Sequence, residues 1–384
     1  MKKVIAAAAG LMLVGAMAGT AAAEVSLGGD ARARFLYQQD YDFGATVTDP
    51  ETGAVSRVRE QDNKVTSRFR LQARGTAAGG AYAVGRIRMG DGTWDGGNSG
   101  TADSFIDKAY VGVPMGIATL EAGRLQYDLL KSTNFFEQDI NRDGAKLDFN
   151  VSDMATVGLW YFINYEASQN GDKVDDNDIT DYGIYADLKF GGGWGTRLGV
   201  LYRDNQITEN DIDDGAFGGI EFAGPAGPIA IKGAFAFDDR LVDDTGYGGF
   251  IQGGMNFGAT SAALAAGFTS DGFVTDGDYG FIMLGGGTAI SVYTFGATLT
   301  DTWWIGAPIS FAVSEMLTLK ANLIYVDMDT FGDGFELSGG AVYAISDGAN
   351  VEFLIGYVGY SADDDGPADD QDPFGMGLTF NVSF

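Results

Sequence analysis

The chain has 384 residues, with 59 glycines, 7 prolines and neither cysteine nor histidine, and its 53 acidic against 24 basic side chains give a formal charge of −29. Lacking cysteine, it has no disulfide and no thiolate metal site; lacking histidine, it has no Ser-His or Cys-His nucleophile pair and none of the usual zinc ligands. So large an acidic excess argues against a nucleic-acid partner.

At the N-terminus Lys2 and Lys3 precede an apolar run from Val4 to about Gly19, and Ala21-Ala22-Ala23 leads to Glu24. This order of charged, apolar and small residues predicts a Sec signal peptide over 1–23, cleaved between Ala23 and Glu24. Cleavage removes Lys2 and Lys3 and leaves a still more acidic mature chain, 24–384. That chain has no run of 18 apolar residues, which excludes a spanning helix.

Period-two alternation of apolar and polar residues then recurs to the last residue. It predicts strands at 25–38, 64–77, 80–90, 104–113, 117–126, 144–151, 154–165, 180–190 and 194–204. Further strands are expected at 215–223, 228–238, 247–258, 260–270, 303–314, 316–327, 335–345, 350–361 and 374–384. The total is eighteen, with sixteen as the runner-up. Residues 271–302, with Phe281-Ile282-Met283-Leu284 and Val292-Tyr293-Thr294-Phe295, read as loop or as one more hairpin.

Connections alternate in kind. Short ones such as Ala78-Gly79-Gly80 and Gly224-Pro225-Ala226-Gly227 fall between long acidic ones carrying Asp175-Asp176-Asn177-Asp178 or Asp363-Asp364-Asp365. Short periplasmic turns and long acidic extracellular loops, with no linker between domains, make the expected fold all-β: a single transmembrane antiparallel β-barrel in a bacterial outer membrane. In the last strand Met376, Leu378, Phe380, Val382 and Phe384 share the face expected to meet lipid. Phe380, Val382 and the terminal Phe384 resemble the signal that such barrels present to their assembly machinery.

The parity of the arginines carries the functional reading. Arg32 and Arg34 in the first strand, Arg68, Arg70 and Arg74 in the second, and Arg86 and Arg88 in the third all fall on the polar face. An arginine facing lipid at midplane costs roughly 2–4 kcal/mol, so this face belongs to the lumen or to a protein interface. Arg197, Arg203, Lys189, Lys232 and Lys320 repeat the rule more sparsely. On the opposite, outward face the early strands carry Ala31, Ala33, Ala73, Ala81 and Ala83, small residues that suit close protein contact, with Gly90 to Asp103 as an exposed loop nearby.

Lys108-Ala109-Tyr110-Val111-Gly112-Val113, then Gly116 and Gly123-Arg124, is similar to the aromatic-x-Gly-Leu…Gly-Arg stretch of general bacterial porins. With the opening strand and Phe384, the mature chain resembles a trimeric porin, closest to those of sulfate-reducing deltaproteobacteria. The resemblance implies a homotrimer in outer-membrane lipid, passing small hydrophilic solutes. It also implies that the loop after the fifth strand, about Tyr127 to Asp143, folds inward as the constriction. There Glu137, Asp139 and Asp143 would face Arg32, Arg34, Arg68, Arg70 and Arg74, with Arg142 opening the next strand. The Pro-Glu-Phe-Gly-Gly-Asp type of loop sequence is missing.

Asp139-Ile140-Asn141-Arg142-Asp143-Gly144 also fits D-x-[DN]-x-[DN]-G, which would set Asp139, Asn141 and Asp143 on a tight turn as calcium ligands. Position twelve is Asn150 rather than a bidentate glutamate. Otherwise no cofactor is expected. A passive diffusion channel needs only a polar lumen and a narrowing loop. The alternative is a structural or adhesive barrel acting through its loops; an enzyme is the weakest reading because histidine is absent.

Overall fold

The computed structural model describes residues 24–41, 46–48, 55–57, 61–94, 104–165, 178–206, 214–240, 244–277, 279–297, 301–329, 331–362 and 372–384. The expected signal peptide and cleavage residue Ala23, most of the acidic loop runs and residues 95–103 of the loop expected near the outward alanines lie outside them.

Eighteen strands form one closed antiparallel sheet. They are β1 Glu24–Gln39, β2 Gln61–Thr76, β3 Tyr82–Trp94, β4 Ser104–Met115, β5 Ala118–Tyr127, β6 Ile140–Ser152, β7 Ala155–Tyr165, β8 Ile179–Lys189 and β9 Gly195–Asn205. The second half comprises β10 Gly215–Ala226, β11 Ile229–Asp238, β12 Gly246–Phe257, β13 Thr260–Ser270, β14 Thr302–Ala312, β15 Leu317–Met328, β16 Gly332–Ser346, β17 Ala349–Ala362 and β18 Phe374–Ser383. Each strand pairs with the next, and β18 pairs with β1 to close the ring. Every strand expected from alternation is present, and the described residues between Ser270 and Thr302 are loop, with a single bridge between Leu284 and Tyr293.

Alternation fixes which face is which. In β9 Leu198, Val200 and Tyr202 are 42–48 % exposed while Leu201 between them is fully buried. Outward side chains are thus the large apolar ones, as a wall against hydrocarbon requires, and the core lies inside the ring. The seam follows the same rule: Phe384 and Gly29 exchange backbone hydrogen bonds at 2.8 and 3.0 Å. Outward Phe380 meets Phe35 edge-on at 6.2 Å, and Phe384 lies 6.0 Å from Phe69.

Two loops from one end of the ring enter it. Residues 128–139, between β5 and β6, bury Leu129, Leu130, Phe135 and Phe136; residues 271–301, between β13 and β14, bury Phe273, Tyr279, Phe281, Met283 and Phe295. The first of these loops holds Asn134, Glu137 and Asp139 in left-handed backbone conformations. Such conformations persist only where surrounding contacts impose them.

One sequence expectation fails here. The D-x-N-x-D-G match is not a turn, because β6 begins at Ile140 and carries Asn141 and Asp143 in extended backbone. Alternate residues of a strand stand about 6.6 Å apart. Oxygens so spread cannot close on an ion that takes ligands at about 2.3–2.6 Å. Among the described residues no cluster of three Asp, Glu, His or Cys side chains converges on a metal position.

Candidate functional site

The register of the first three strands brings their arginines together. Arg32 stands opposite Arg68, Asp30 opposite Arg70, and Arg70 opposite Arg88, and directly opposed residues share a face. Asp30 accepts hydrogen bonds from Arg68 Nη2 at 3.1 Å and Arg70 Nε at 2.7 Å. Arg74 lies 3.9 Å over the Tyr82 ring, whose hydroxyl donates to Glu121. Arg86 is held by Asp107, with Nε donating at 2.8 Å and both side chains buried.

Asp107 comes inward through a β-bulge. Arg86 pairs with Lys108 and Ile87 with Ile106, which leaves Asp107 as the extra residue. Period-two counting cannot find such a residue, since the bulge breaks the period.

Within the inward loop the expected acids part company. Glu137 accepts from Tyr127 Oη at 2.9 Å and from Arg240 Nη2 at 2.7 Å, and Arg240 also donates to Asp238 at 2.6 Å. Its partner is therefore an arginine beyond β11 rather than the early-strand set. Burial by itself would favour a neutral Arg240, but the Asp238 and Glu137 carboxylates outweigh it and hold the guanidinium firmly charged. Asp139 is exposed at the end of the loop, where its N–H donates to Asp128 Oδ1 at 2.7 Å.

Asp143 is a correction. It lies on β6 opposite Arg124 and bonds to it at 3.2 Å, with its side chain 60 % exposed. Leu125 and Tyr127 of the same pair of strands point inward and are buried. Asp143 and Arg124 therefore point outward, because β6 starts earlier than alternation indicated and parity carries position 143 through the wall. Arg142, opposite Leu125, keeps the inner face.

Two wall glutamates anchor the loops. Glu221 on β10, 2 % exposed, accepts from the Ser132 N–H at 2.9 Å, and from the Thr133 N–H and hydroxyl at 2.8 Å each. Glu336 on β16, fully buried, accepts from the amides of Ile282, Met283 and Leu284 at 3.2, 3.1 and 2.7 Å, and from the Ser338 hydroxyl. Several N–H donors on one carboxylate offset part of the cost of burying it. Neither residue was singled out from the sequence, although Ile220-Glu221-Phe222 and Phe335-Glu336-Leu337 already place an acid on the polar face.

The loops also bind each other. Phe273 lies 5.8 Å from Phe135 and 4.8 Å from Phe136, while Phe295 stacks at 4.0 Å on Trp304 of the wall strand β14. Asp276 N–H donates to the Phe135 carbonyl at 2.9 Å, and Gln138 Nε2 donates to the Asp276 carbonyl at 3.0 Å. The resulting apolar partition takes no buried residue from β2 or β3.

The sequence profile of the Gram-negative porin family matches residues 6–383. No curated protein matches the chain. Among solved structures it is similar to OpdQ of Pseudomonas aeruginosa, at 10 % identity over 94 % of this chain and 98 % of that one, with a TM-score of 0.58. It is also similar to OccK8 (OprE) of the same organism, at 12 % identity over 94 % and 98 % with a TM-score of 0.56. A third is an anion-selective porin from Comamonas acidovorans, at 16 % identity over 94 % and 100 % with a TM-score of 0.52. At such identities the likeness is one of fold.

Proposed function

Because the chain belongs to the Gram-negative porin family and is an outer-membrane channel for small solutes, we propose that its conducting path is the arginine-lined sector of the lumen. Arg32, Arg34, Arg68, Arg70, Arg74, Arg86 and Arg88, with Arg142, form its basic wall. Residues 128–139 form the constriction, to which Asp139 contributes an acid; Glu137 acts there through Arg240. The observation that carries this reading is that β2 and β3 give no buried residue to the apolar partition, so that the partition does not cover their arginines; Arg68 and Arg70 are partly exposed, and Arg86 is buried against Asp107.

In that reading water and hydrophilic solutes diffuse past fixed guanidiniums, which interact through a low-dielectric wall and select weakly for anions. Homotrimer assembly through the early strands is supported by small outward residues and by the outward Arg124–Asp143 pair. A charged pair on a lipid-facing wall is costly, whereas a protein neighbour can hydrogen-bond it. Residues 1–23 serve as the export signal and the C-terminal strand as the signal to the barrel-assembly machinery. No step involves a catalytic residue or a cofactor.

Planar-bilayer recording tests the channel. Conductance steps that scale with bulk salt are expected from the purified protein. A silent protein that still binds surfaces or ligands through its loops would favour an adhesive barrel instead.

A further inference from the structure

One arginine of the early strands is held differently from its neighbours. Arg68 and Arg70 pair with Asp30, and Arg86 pairs with Asp107. Arg74 is exposed, and it rests on an aromatic ring instead: its guanidinium carbon lies 3.9 Å from the centroid of Tyr82. Among the described residues no carboxylate pairs with it. Register puts Arg74 opposite Val84, and Tyr82, Val84 and Arg86 share the inner face of β3, so the stack stands on the lumen side. Arg74 lies two places before the end of β2 and Tyr82 opens β3, which sets the pair at the short-turn, periplasmic end of the basic wall.

The wall is shaped to hold this stack. Tyr82 stands opposite Gly112, where a Cβ would run into the Tyr82 ring, so only glycine lets the ring lie against the backbone. The Tyr82 hydroxyl donates to Glu121 and fixes the direction of the ring, and Tyr110 packs edge-on at 6.4 Å. The charges next along this row are tied to one another. Lys146 Nζ lies 3.6 Å from Glu121 and 2.8 Å from Asp148, and these three side chains are only 18–23 % exposed. Arg74 is therefore the charge that the row presents to a solute. A guanidinium offers N–H donors in a rigid planar fork, and one already held over a ring loses little further freedom when it grips a planar anion.

Building on the channel reading, we propose that Arg74, held on Tyr82, is a binding subsite for small carboxylates at the periplasmic end of the basic wall. The carboxylate accepts two parallel N–H bonds from the guanidinium. A phosphate monoester offers the same pair of oxygens but carries a charge of about −1.5 to −2, so the Glu121 carboxylate at the far end of Tyr82 repels it more strongly. An amine is repelled by Arg74, and an alcohol leaves the guanidinium charge unmatched.

Saturation-transfer NMR of folded, detergent-solubilised protein, titrated with benzoate, tests it. Saturable binding is expected, with benzyl alcohol, benzylammonium and phenyl phosphate binding more weakly. Arg74→Gln should weaken benzoate binding roughly tenfold, the loss of one charge-assisted contact. Arg74→Lys should weaken it nearly as far, because an ammonium keeps the charge but has no planar fork. Lys189→Met on β8, which removes a charge elsewhere on the wall, should leave it unchanged. Heat-modifiable mobility verifies that each variant is folded. Benzoate binding no stronger than that of benzyl alcohol, or unchanged in Arg74→Gln, overturns the subsite. Full binding by Arg74→Lys overturns recognition by the fork, and tighter binding of phenyl phosphate overturns the choice of carboxylates. The channel reading fails separately: saturable binding by a protein that is silent in bilayers would sink the channel and keep the subsite, whereas salt-scaled conductance without binding would do the reverse.

Discussion

Glu336 holds three consecutive loop amides on one buried carboxylate, and Glu221 does the same for the other inward loop with two amides and a hydroxyl. A donor left unsatisfied in such a place costs about 1–3 kcal/mol. Glu336→Ala strands three of them, so the loop should undock while the barrel wall stays paired. The expected outcome is larger and noisier single-channel conductance with unchanged heat-modifiable mobility. Conductance like that of the unaltered protein would mean that the aromatic contacts alone hold the loop.

Asp276 lies at the loop–loop contact, outside the strands. Burial, reinforced by the Glu137 charge, raises its carboxyl above the ordinary carboxylate range, although the Gln138 and Glu137 amides pull the other way. For an acid raised in the docked state, the stabilisation is fully present below its undocked value and is lost as pH rises through the docked value. Amide exchange of 128–139 should therefore quicken as pH rises upward from about 4, after correction for intrinsic rates. In Asp276→Asn that pH dependence should flatten. A slope unchanged by the substitution would assign it to another group.

At the scale of elements, the seam between β18 and β1 depends on the last residue. Phe384 donates to and accepts from Gly29, and a Cβ at Gly29 would come within 2.7 Å of the Phe384 ring and 2.3 Å of the Arg70 carbonyl. Glycine is required there because the terminal ring fills the space. Deleting Phe384 removes two ladder hydrogen bonds and the outward contact with Phe69, so the yield of folded, heat-modifiable barrel in the outer membrane should fall. Undiminished yield would show that β18 closes the ring without its end.

Elements also mark where reading by period stops. The strands were legible because lipid outside and water inside write opposite preferences on alternate residues. The bulge that turns Asp107 inward breaks that period, and the early start of β6 carries Asp143 to the outer wall. Both cases depend on how a neighbouring strand aligns, which a single segment does not encode.

For the whole molecule, two charge sets compete over permeation. Acidic loop charges more than about 10 Å from an ion are screened at 0.1 M salt. In the proposed reading the arginine sector is nearer the path, with Arg68 and Arg70 paired to Asp30 and Arg86 to Asp107. Weak anion preference is expected at moderate salt, drifting toward cations as salt falls. Replacing Arg68, Arg70 and Arg74 together with glutamine should move the reversal potential toward cations; an unmoved potential would take these side chains off the path. In mild detergent the mass should be that of a homotrimer, and Arg124→Ala should loosen it. A monodisperse monomer of the unaltered protein would end the trimer reading.

The sequence by itself determined the barrel's alternating strands, their inner and outer faces and the parity of the arginines of the first three strands, since each follows from local alternation between two solvents, while the class of channel came from the resemblance to porins and the choice of eighteen strands over sixteen from the closed sheet. Only the tertiary structure decided that 271–301 fills the lumen beside 128–139, that Glu221 and Glu336 anchor these loops, and that Glu137 answers to Arg240. Those pairings join residues distant in the chain, and partner choice depends on which backbone amides the closed ring brings within about 3 Å of a carboxylate.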